Sequence, residues 1–430
     1  MRIQMGVIAD DVTGATDIAS FLVKNGFRTV QINGEQLRHH AGSGPWPVPD
    51  LKTDVDAVVI SLKNRSNPAD EATAKARRAL TVLRTLGAEQ FYFKYCSTFD
   101  STEQGNIGPV TDAMMRELEV PLTVVAPALP VNGRTVYSGY LFVNGVPLHE
   151  SGMRHHPLTP MTDSSIKRLM EAQSDGTADV IGLPTVEAGV DAVRDRLAAM
   201  AQEGVRYAIL DALNDVHLRT LGEAVSDLPL VTGGSGLGGS IAQARTGRAP
   251  KPKVEFRGMA GPSVVLSGSC SERTQAQVAR YITRAPVLRL DVDRAIHDPE
   301  AYVSEVTKWF WTQDTQGLAP LISATTDSKQ LREAQARYGA AAAGEAIESL
   351  IGSIARDLVD GGVRNLIVAG GESSGAVTSA LQIEGFEVGP EIAPGVPVVR
   401  TLDHRISLVL KSGNFGGENF FFDAQKERHE

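Results

Sequence analysis

Residues 5–25 read MGVIADDVTGATDIASFLVKN. A short apolar run meets two adjacent acids, Asp10 and Asp11. Thr13 and Gly14 then open an amphipathic stretch that reaches about Asn25. An apolar run without polar alternation is how a strand buried on both faces reads, and the stretch after it has helical spacing. The unit is therefore strand, paired carboxylates, helix. It recurs along the chain: DAVVISL (56–62), QFYFKYC (90–96), PLTVVAP (121–127), ADVIGLP (178–184), RYAILDA (206–212) and LPLVTGG (228–234) are all short apolar runs. Helix-like segments, such as 68–86 and 187–203, lie between them. Strands alternating with helices predict a parallel sheet in an α/β layer fold.

The alternation stops at GRAPKPKVEFRGMAGP (247–262), where prolines and basic residues replace the apolar period. Such a stretch reads as a linker. Afterwards the pattern restarts with SVVLSGS (263–269), PVLRLDV (286–292), APLISAT (319–325) and RNLIVAGG (364–371). From about Glu387 there is no long helical stretch, which predicts antiparallel strands closing the second half. RTVYSGYLFVNGVPLHES (134–151) reads as a hairpin turning at Asn144-Gly145. The expectation is two α/β lobes, 1–246 and 263–430, joined by the Pro-rich linker 247–262. Ligands of such sheets bind at the carboxyl ends of strands, so an active site in a cleft between lobes is expected.

Composition narrows the function. The chain has 430 residues, 42% hydrophobic and 22% charged, enough for sizeable cores. Its net charge of -9 argues against non-specific nucleic-acid or anionic-membrane binding. Two cysteines, Cys96 and Cys270, cannot build a disulfide framework or a multi-cysteine zinc site. The first apolar run is too short for a signal peptide or a membrane span. A cytoplasmic protein is expected, with a homo-oligomer left open. His155-His156 lie in a loop without a third ligand at suitable spacing and read as loop residues, with a substrate contact left open and any metal ligands unassigned.

Glycine is 42 of 430, above the usual share of about 7%, and it clusters at the ends of apolar runs. In the first half, one of Asp10 and Asp11 can accept the proton of a substrate hydroxyl while the other orients it. A helix cap is the plainer role for Asp11. In ISLKNRSNPADEA (60–72), Arg65 can hold a carboxylate through two parallel hydrogen bonds. KYCSTFDSTEQGNIGP (94–109) gathers Lys94, Ser97, Thr98, Asp100, Ser101 and Thr102 beside Gly105 and Gly108. These are the groups a polyhydroxylated acid needs. VTGGSGLGGSIAQA (231–244) carries Gly234, Gly236 and Gly239 as G-x-G-x-x-G. The strand and acid that should follow such a fingerprint are replaced by the linker. It reads as a Gly-rich loop facing the cleft, with a phosphate role open, and keeps a nicotinamide-dependent oxidoreductase as an alternative.

In the second half, three strand ends carry small residues: Ser267-Gly268-Ser269, Gly370-Gly371-Glu372-Ser373 and Ser412-Gly413. Small residues leading into a helix expose backbone N–H groups to an anion. Three such loops in one domain suit a nucleoside triphosphate. No P-loop string and no protein-kinase signature set occurs. Glu372 can bind Mg²⁺ directly or through water.

Taken in order, IADDVTGATDIA, KYCSTFDSTEQGNIGP, SGYLFVNGVPLHES, TGGSGL, LSGSCS, GGESSGAV and SGNFGG make the whole chain resemble the four-carbon acid sugar kinases. Members acting on threonate or erythronate usually carry DSTLRGN in the central motif. This chain has DSTEQGN, which looks like the 3-oxo-tetronate branch. The resemblance implies an N-terminal substrate-binding domain and a C-terminal nucleotide-binding domain. It implies acid-sugar contacts around Asp10, Asp11, Arg65, Lys94 and 97–102. It implies ATP contacts at Ser267, Gly370, Gly371, Glu372, Ser373 and Gly413, and Mg²⁺-dependent transfer to the C4 hydroxyl. A threonate or erythronate kinase of the same family is the other reading.

Overall fold

The computed structural model describes residues 3–41, 44–51, 54–155, 159–247, 256, 258–315, 317–325, 336–413 and 415–426. Two compact units divide at Pro252/Lys253, inside the segment read as a linker. Most of 247–262 lies outside the described residues, as do His156 and the His155 side chain.

The first unit contains β1 (Ile3–Ala9), β2 (Thr29–Asn33), β3 (Ala57–Ser61), β4 (Ala88–Lys94), β5 (Thr123–Ala126), β6 (Arg134–Tyr137), β7 (Tyr140–Val143), β8 (Val146–Pro147), β9 (Ala178–Ile181), β10 (Tyr207–Leu210) and β11 (Leu230–Gly233). Its main sheet runs β2-β3-β1-β4-β11-β5-β10-β9, and every neighbouring pair is parallel. The apolar runs are covered on both faces: Val7, Ile8, Val58, Val59, Ile60, Val124 and Val125 are wholly buried. Each such side chain contributes about 1.5–3 kcal/mol over its exposed state.

Register decides where chemistry is placed. Ala9 lies beside Ser61 on one side and Lys94 on the other. Three neighbouring strands therefore end at one level, and the loops 10–14, 62–67 and 95–106 leave from the same place. Helix Val12–Lys24 starts there, capped by Asp11, whose Oδ1 accepts the Gly14 N–H at 2.6 Å.

Two expectations need correction. The stretch at Gly234–Gly239 is not a loop. Gly234 is the cap residue and helix Ser235–Thr246 begins immediately. Added Cβ atoms would lie 2.9 Å from Leu218 Cδ1 at Gly236, 2.8 Å from Ile18 Cδ1 at Gly238, and 3.0 Å from Asn25 Nδ2 and Phe21 Cδ1 at Gly239. The glycines let this helix lie against its neighbours, so the spacing serves helix packing. The segment 134–151 has two turns rather than one. β6 and β7 join at Ser138-Gly139, and β7 and β8 at Asn144-Gly145. Both pairs have positive φ (51° and 74°, then 51° and 84°), the backbone of primed hairpin turns. Asp211, just beyond β10, fastens the first turn by accepting the N–H groups of Ser138 (2.6 Å) and Gly139 (2.9 Å).

The second unit contains β12 (Ser263–Ser267), β13 (Val287–Arg289), β14 (Leu321–Ser323), β15 (Asn365–Ala369), β16 (Gly385–Ala393), β17 (Val396–Thr401) and β18 (Ser407–Lys411). Their order is β13-β14-β12-β15-β18-β17-β16. The first five are mutually parallel. β17 is antiparallel to both neighbours, as the helix-poor C-terminal sequence predicts. A core of Val265, Tyr281, Leu321, Ile367, Val398, Val409 and Phe421 fills one side of this sheet. Register again aligns strand ends: Ser267 lies beside Ser323 and Ala369, and Ala369 beside Lys411. Among the described residues, no helix is long and apolar enough to cross a membrane.

Candidate functional site

In the first unit, the aligned strand ends bring Asp10, Asp11, Arg65, Lys94 and Asp100 together. Asp10 is buried, with 4% exposure. Both its oxygens are taken by Arg65: Nε meets Oδ2 at 2.9 Å and Nη2 meets Oδ1 at 3.1 Å. Nη2 also lies 3.0 Å from Asp11 Oδ1, and Nη1 lies 4.0 Å from Asp100 Oδ2. Burial works against the Arg65 charge, but Asp10 more than offsets it, so the guanidinium holds its proton more firmly than usual. The bidentate hold expected of Arg65 on a substrate is thus made on Asp10, leaving Nη1 as its freer end.

Asp11 is different. Its Oδ1 serves the helix cap and Arg65, while Oδ2 carries no bond among the described residues. Burial, then the neighbouring Asp10 charge, raises its pKa above the ordinary 3.8, with Arg65 and Lys94 opposing. Lys94 is 2% exposed and donates to Tyr95 O at 2.8 Å. An ammonium has three protons, so two remain for a ligand. Gly14 sits at the centre: a methyl there would lie 2.4 Å from Asp11 Oδ1, 3.2 Å from Lys94 Nζ and 3.6 Å from Asp10 Oδ1. Gly14→Ala is expected to weaken the binding of an acidic ligand at this site at least about tenfold, a loss of roughly 1.4 kcal/mol, while binding of an anion at the second unit's loops stays unchanged. Separate titrations with each ligand check this.

The 97–102 loop divides its groups. Thr98 Oγ1 donates to Asp100 Oδ1 at 2.6 Å, and Asp100 N–H reaches Cys96 Sγ at 3.3 Å. Ser101 faces inward, its hydroxyl on Gln173 Oε1 at 2.9 Å. Ser97 and Thr102 make no side-chain hydrogen bond among the described residues, so their hydroxyls are open. Phe99, with φ 48°, bends the loop round its buried ring. Burial, then Asp100, pushes the Cys96 thiol up to about 12, so it is not a nucleophile at neutral pH. Asn106, part of the same polar stretch in sequence, serves the loops rather than standing open. Its Nδ2 donates to Asn64 O (2.8 Å) and Asn67 O (3.0 Å), locking the Arg65 loop to the 95–106 loop.

In the second unit, the loops after β12, β15 and β18 converge. A Cβ on Gly268 would lie 2.2 Å from Ser373 Oγ, one on Gly370 3.3 Å from Ser269 N, and one on Gly413 2.5 Å from Ser269 Oγ. Gly370, at φ 130°, adopts backbone that L side chains avoid. Not every amide is free, which revises the expectation for the first loop. Gly268 and Ser269 N–H both donate to Ala369 O (3.1 and 3.2 Å), and Gly370 N–H to Lys411 O (2.9 Å). Ser267 Oγ is buried against Thr325 Oγ1 at 2.6 Å. Helix Gly371–Ala380 makes its first turn closure from Ser374 N–H to Gly370 O. The amides of Gly371, Glu372 and Ser373 are therefore the open donors of a helix start, and Gly371 and Glu372 are exposed. Lys411 was missed from sequence. The available signal was a lysine closing an otherwise apolar strand, as Lys94 closes β4.

The comparisons agree with this division. Residues 5–241 match the family model of a sugar-binding N-terminal domain, and 264–421 that of a nucleotide-binding C-terminal domain. A 3-oxo-tetronate kinase of Brucella melitensis is 54% identical over 98% of this chain and 95% of its own length. One of Salmonella typhimurium is 52% identical over 99% of both chains. The crystal structure of a Haemophilus influenzae protein superposes with a TM-score of 0.91 at 47% identity, covering 98% of this chain and 100% of that one. Two domain models in order and full-length identity at this level place the chain in the 3-oxo-tetronate kinase family.

Proposed function

We propose that the protein transfers the γ-phosphoryl group of ATP to the C4 hydroxyl of a 3-oxo-tetronate, with Asp11 as general base. The observation that carries this reading is the division of labour between the two aspartates. Arg65 closes Asp10, and Asp11 keeps one oxygen open beside Lys94 and Gly14. Asp11 Oδ2 accepts the hydroxyl proton as the oxygen attacks phosphorus. Lys94 and the Nη1 end of Arg65 hold the substrate's carboxylate, and Ser97 and Thr102 meet its oxygens. The open amides of Gly371, Glu372 and Ser373 receive phosphate oxygens. Positioning and charge stabilisation supply most of the rate in phosphoryl transfer.

Mg²⁺ on the nucleotide would draw charge off the phosphates. No group of three His, Cys, Asp or Glu side chains among the described residues is placed to hold a metal. Glu372, at the start of helix Gly371–Ala380, would hold the ion directly or through water. An ADP-release assay over four-carbon acids in keto and hydroxy forms tests the reading. Preference for the keto acid is expected. Preference for threonate or erythronate would move the substrate to the other branch, and no ADP release with any acid would end the kinase reading.

A further inference from the structure

We propose that Lys411 is a positioning residue for the nucleotide: its buried ammonium ties the loop after β18 to the helix that follows β12 and waits there as the counter-charge for the phosphates. This rests on the nucleotide reading of the second unit.

Lys411 ends β18 and is 1% exposed. Its Nζ donates to Thr274 Oγ1 at 2.9 Å, Ser412 O at 3.1 Å and Gly413 O at 3.2 Å. All three protons are engaged. Gly413 O also accepts from Thr274 Oγ1 (2.8 Å) and Ser271 Oγ (2.7 Å). The Lys411 carbonyl takes the Gly370 N–H. One residue thereby joins helix Glu272–Tyr281, which follows β12, to the loops after β15 and β18.

Every one of those partners is neutral. The elements packed round the lysine carry Cys270, Glu272, Arg273, Arg280 and Tyr281 near β12, Glu372 after β15, Arg400 in β17, and Asp423 and Lys426 in helix Phe420–Lys426. None forms an ion pair with it among the described residues. The Phe420 ring centroid lies 5.8 Å from Nζ. Burial alone brings Lys411 down to about 8. A buried ammonium without an anion is unfavourable for the fold. Beside loops that receive phosphates, the same charge becomes favourable once the ligand arrives.

Opposite slopes follow. Without ligand, the unfolded chain holds this proton to about pH 10.5 and the folded chain to about 8. The penalty is full below about 8 and shrinks as pH rises towards 10.5, so this group's effect on stability improves with pH. Nucleotide affinity runs the other way, because phosphate binding favours the charged form. Calorimetric titration of the full chain with Mg·ATP between about pH 7.5 and 9.5, in two buffers of different ionisation enthalpy, reads this directly. Wild type should take up a proton on binding and lose about tenfold in affinity across that range. Lys411→Met should bind at least about tenfold more weakly at the lower pH, show no pH slope, and melt higher without ligand. Binding by Lys411→Met with wild-type affinity and slope would overturn the proposal and leave the nucleotide site standing. No Mg·ATP binding by wild type would remove both. Should the Met variant fail to fold, wild-type proton uptake decides alone: its absence overturns the proposal.

Discussion

Asp11→Asn is expected to lower turnover about 10²–10⁴-fold, the usual contribution of a positioned general base, with nucleotide affinity unchanged. Asparagine caps a helix as well as aspartate does. The start of helix Val12–Lys24 should therefore persist and the variant should fold. What disappears is the open carboxylate oxygen. A second readout separates chemistry from structure. In wild type, the acid limb of kcat/KM should lie above pH 3.8, because burial and Asp10 hold the Asp11 pKa up. Activity is present above that pKa and is lost as pH falls through it. The variant's residual rate should lack this limb. If Asp11→Asn turns over at the wild-type rate, Asp11 is not the base.

Arg65→Met should destabilise the first unit by about 3 kcal/mol, the cost of leaving a buried charge unpaired. For a unit of this size that is a fall of roughly 6–12 °C in its melting temperature. Asp10 is the cause: both its oxygens lose their donors inside the protein. Asp11 would also lose an opposing charge, so its pKa should climb further and the acid limb should move to higher pH. Arg65→Lys should recover only part of the stability, because one ammonium cannot reproduce two parallel hydrogen bonds. Thermal melts and the pH profile check both statements. Unchanged melting would mean that the Arg65–Asp10 pair does not hold the first unit together.

The fold was largely legible because each buried strand is a compact apolar run and each helix follows it directly. The paired acids were legible for the same reason: they break the first such run at its carboxyl end. Partnership was harder to read. Arg65 stands 55 positions from Asp10, and only the parallel register of β1 and β3 makes them neighbours. G-x-G-x-x-G at Gly234–Gly239 misled because a helix needs the same small residues to lie close to Ile18 and Phe21 as a loop needs to approach a phosphate. Backbone donors cannot be read from letters at all. Gly268 and Gly371 look alike in sequence, yet one amide is tied to Ala369 O and the other opens a helix.

Ala9, Ser61 and Lys94 stand side by side, so the working surface of this half is levelled by strand length. Removing a single residue from β1 would draw Asp10 and Asp11 back by about 3.3 Å and swap which way each one points. Changes of length at the opposite ends of the same strands, such as the bend at Gly87 before β4, leave that level untouched. Indels in this protein should thus be tolerated on one rim of the sheet and fatal along the strands themselves.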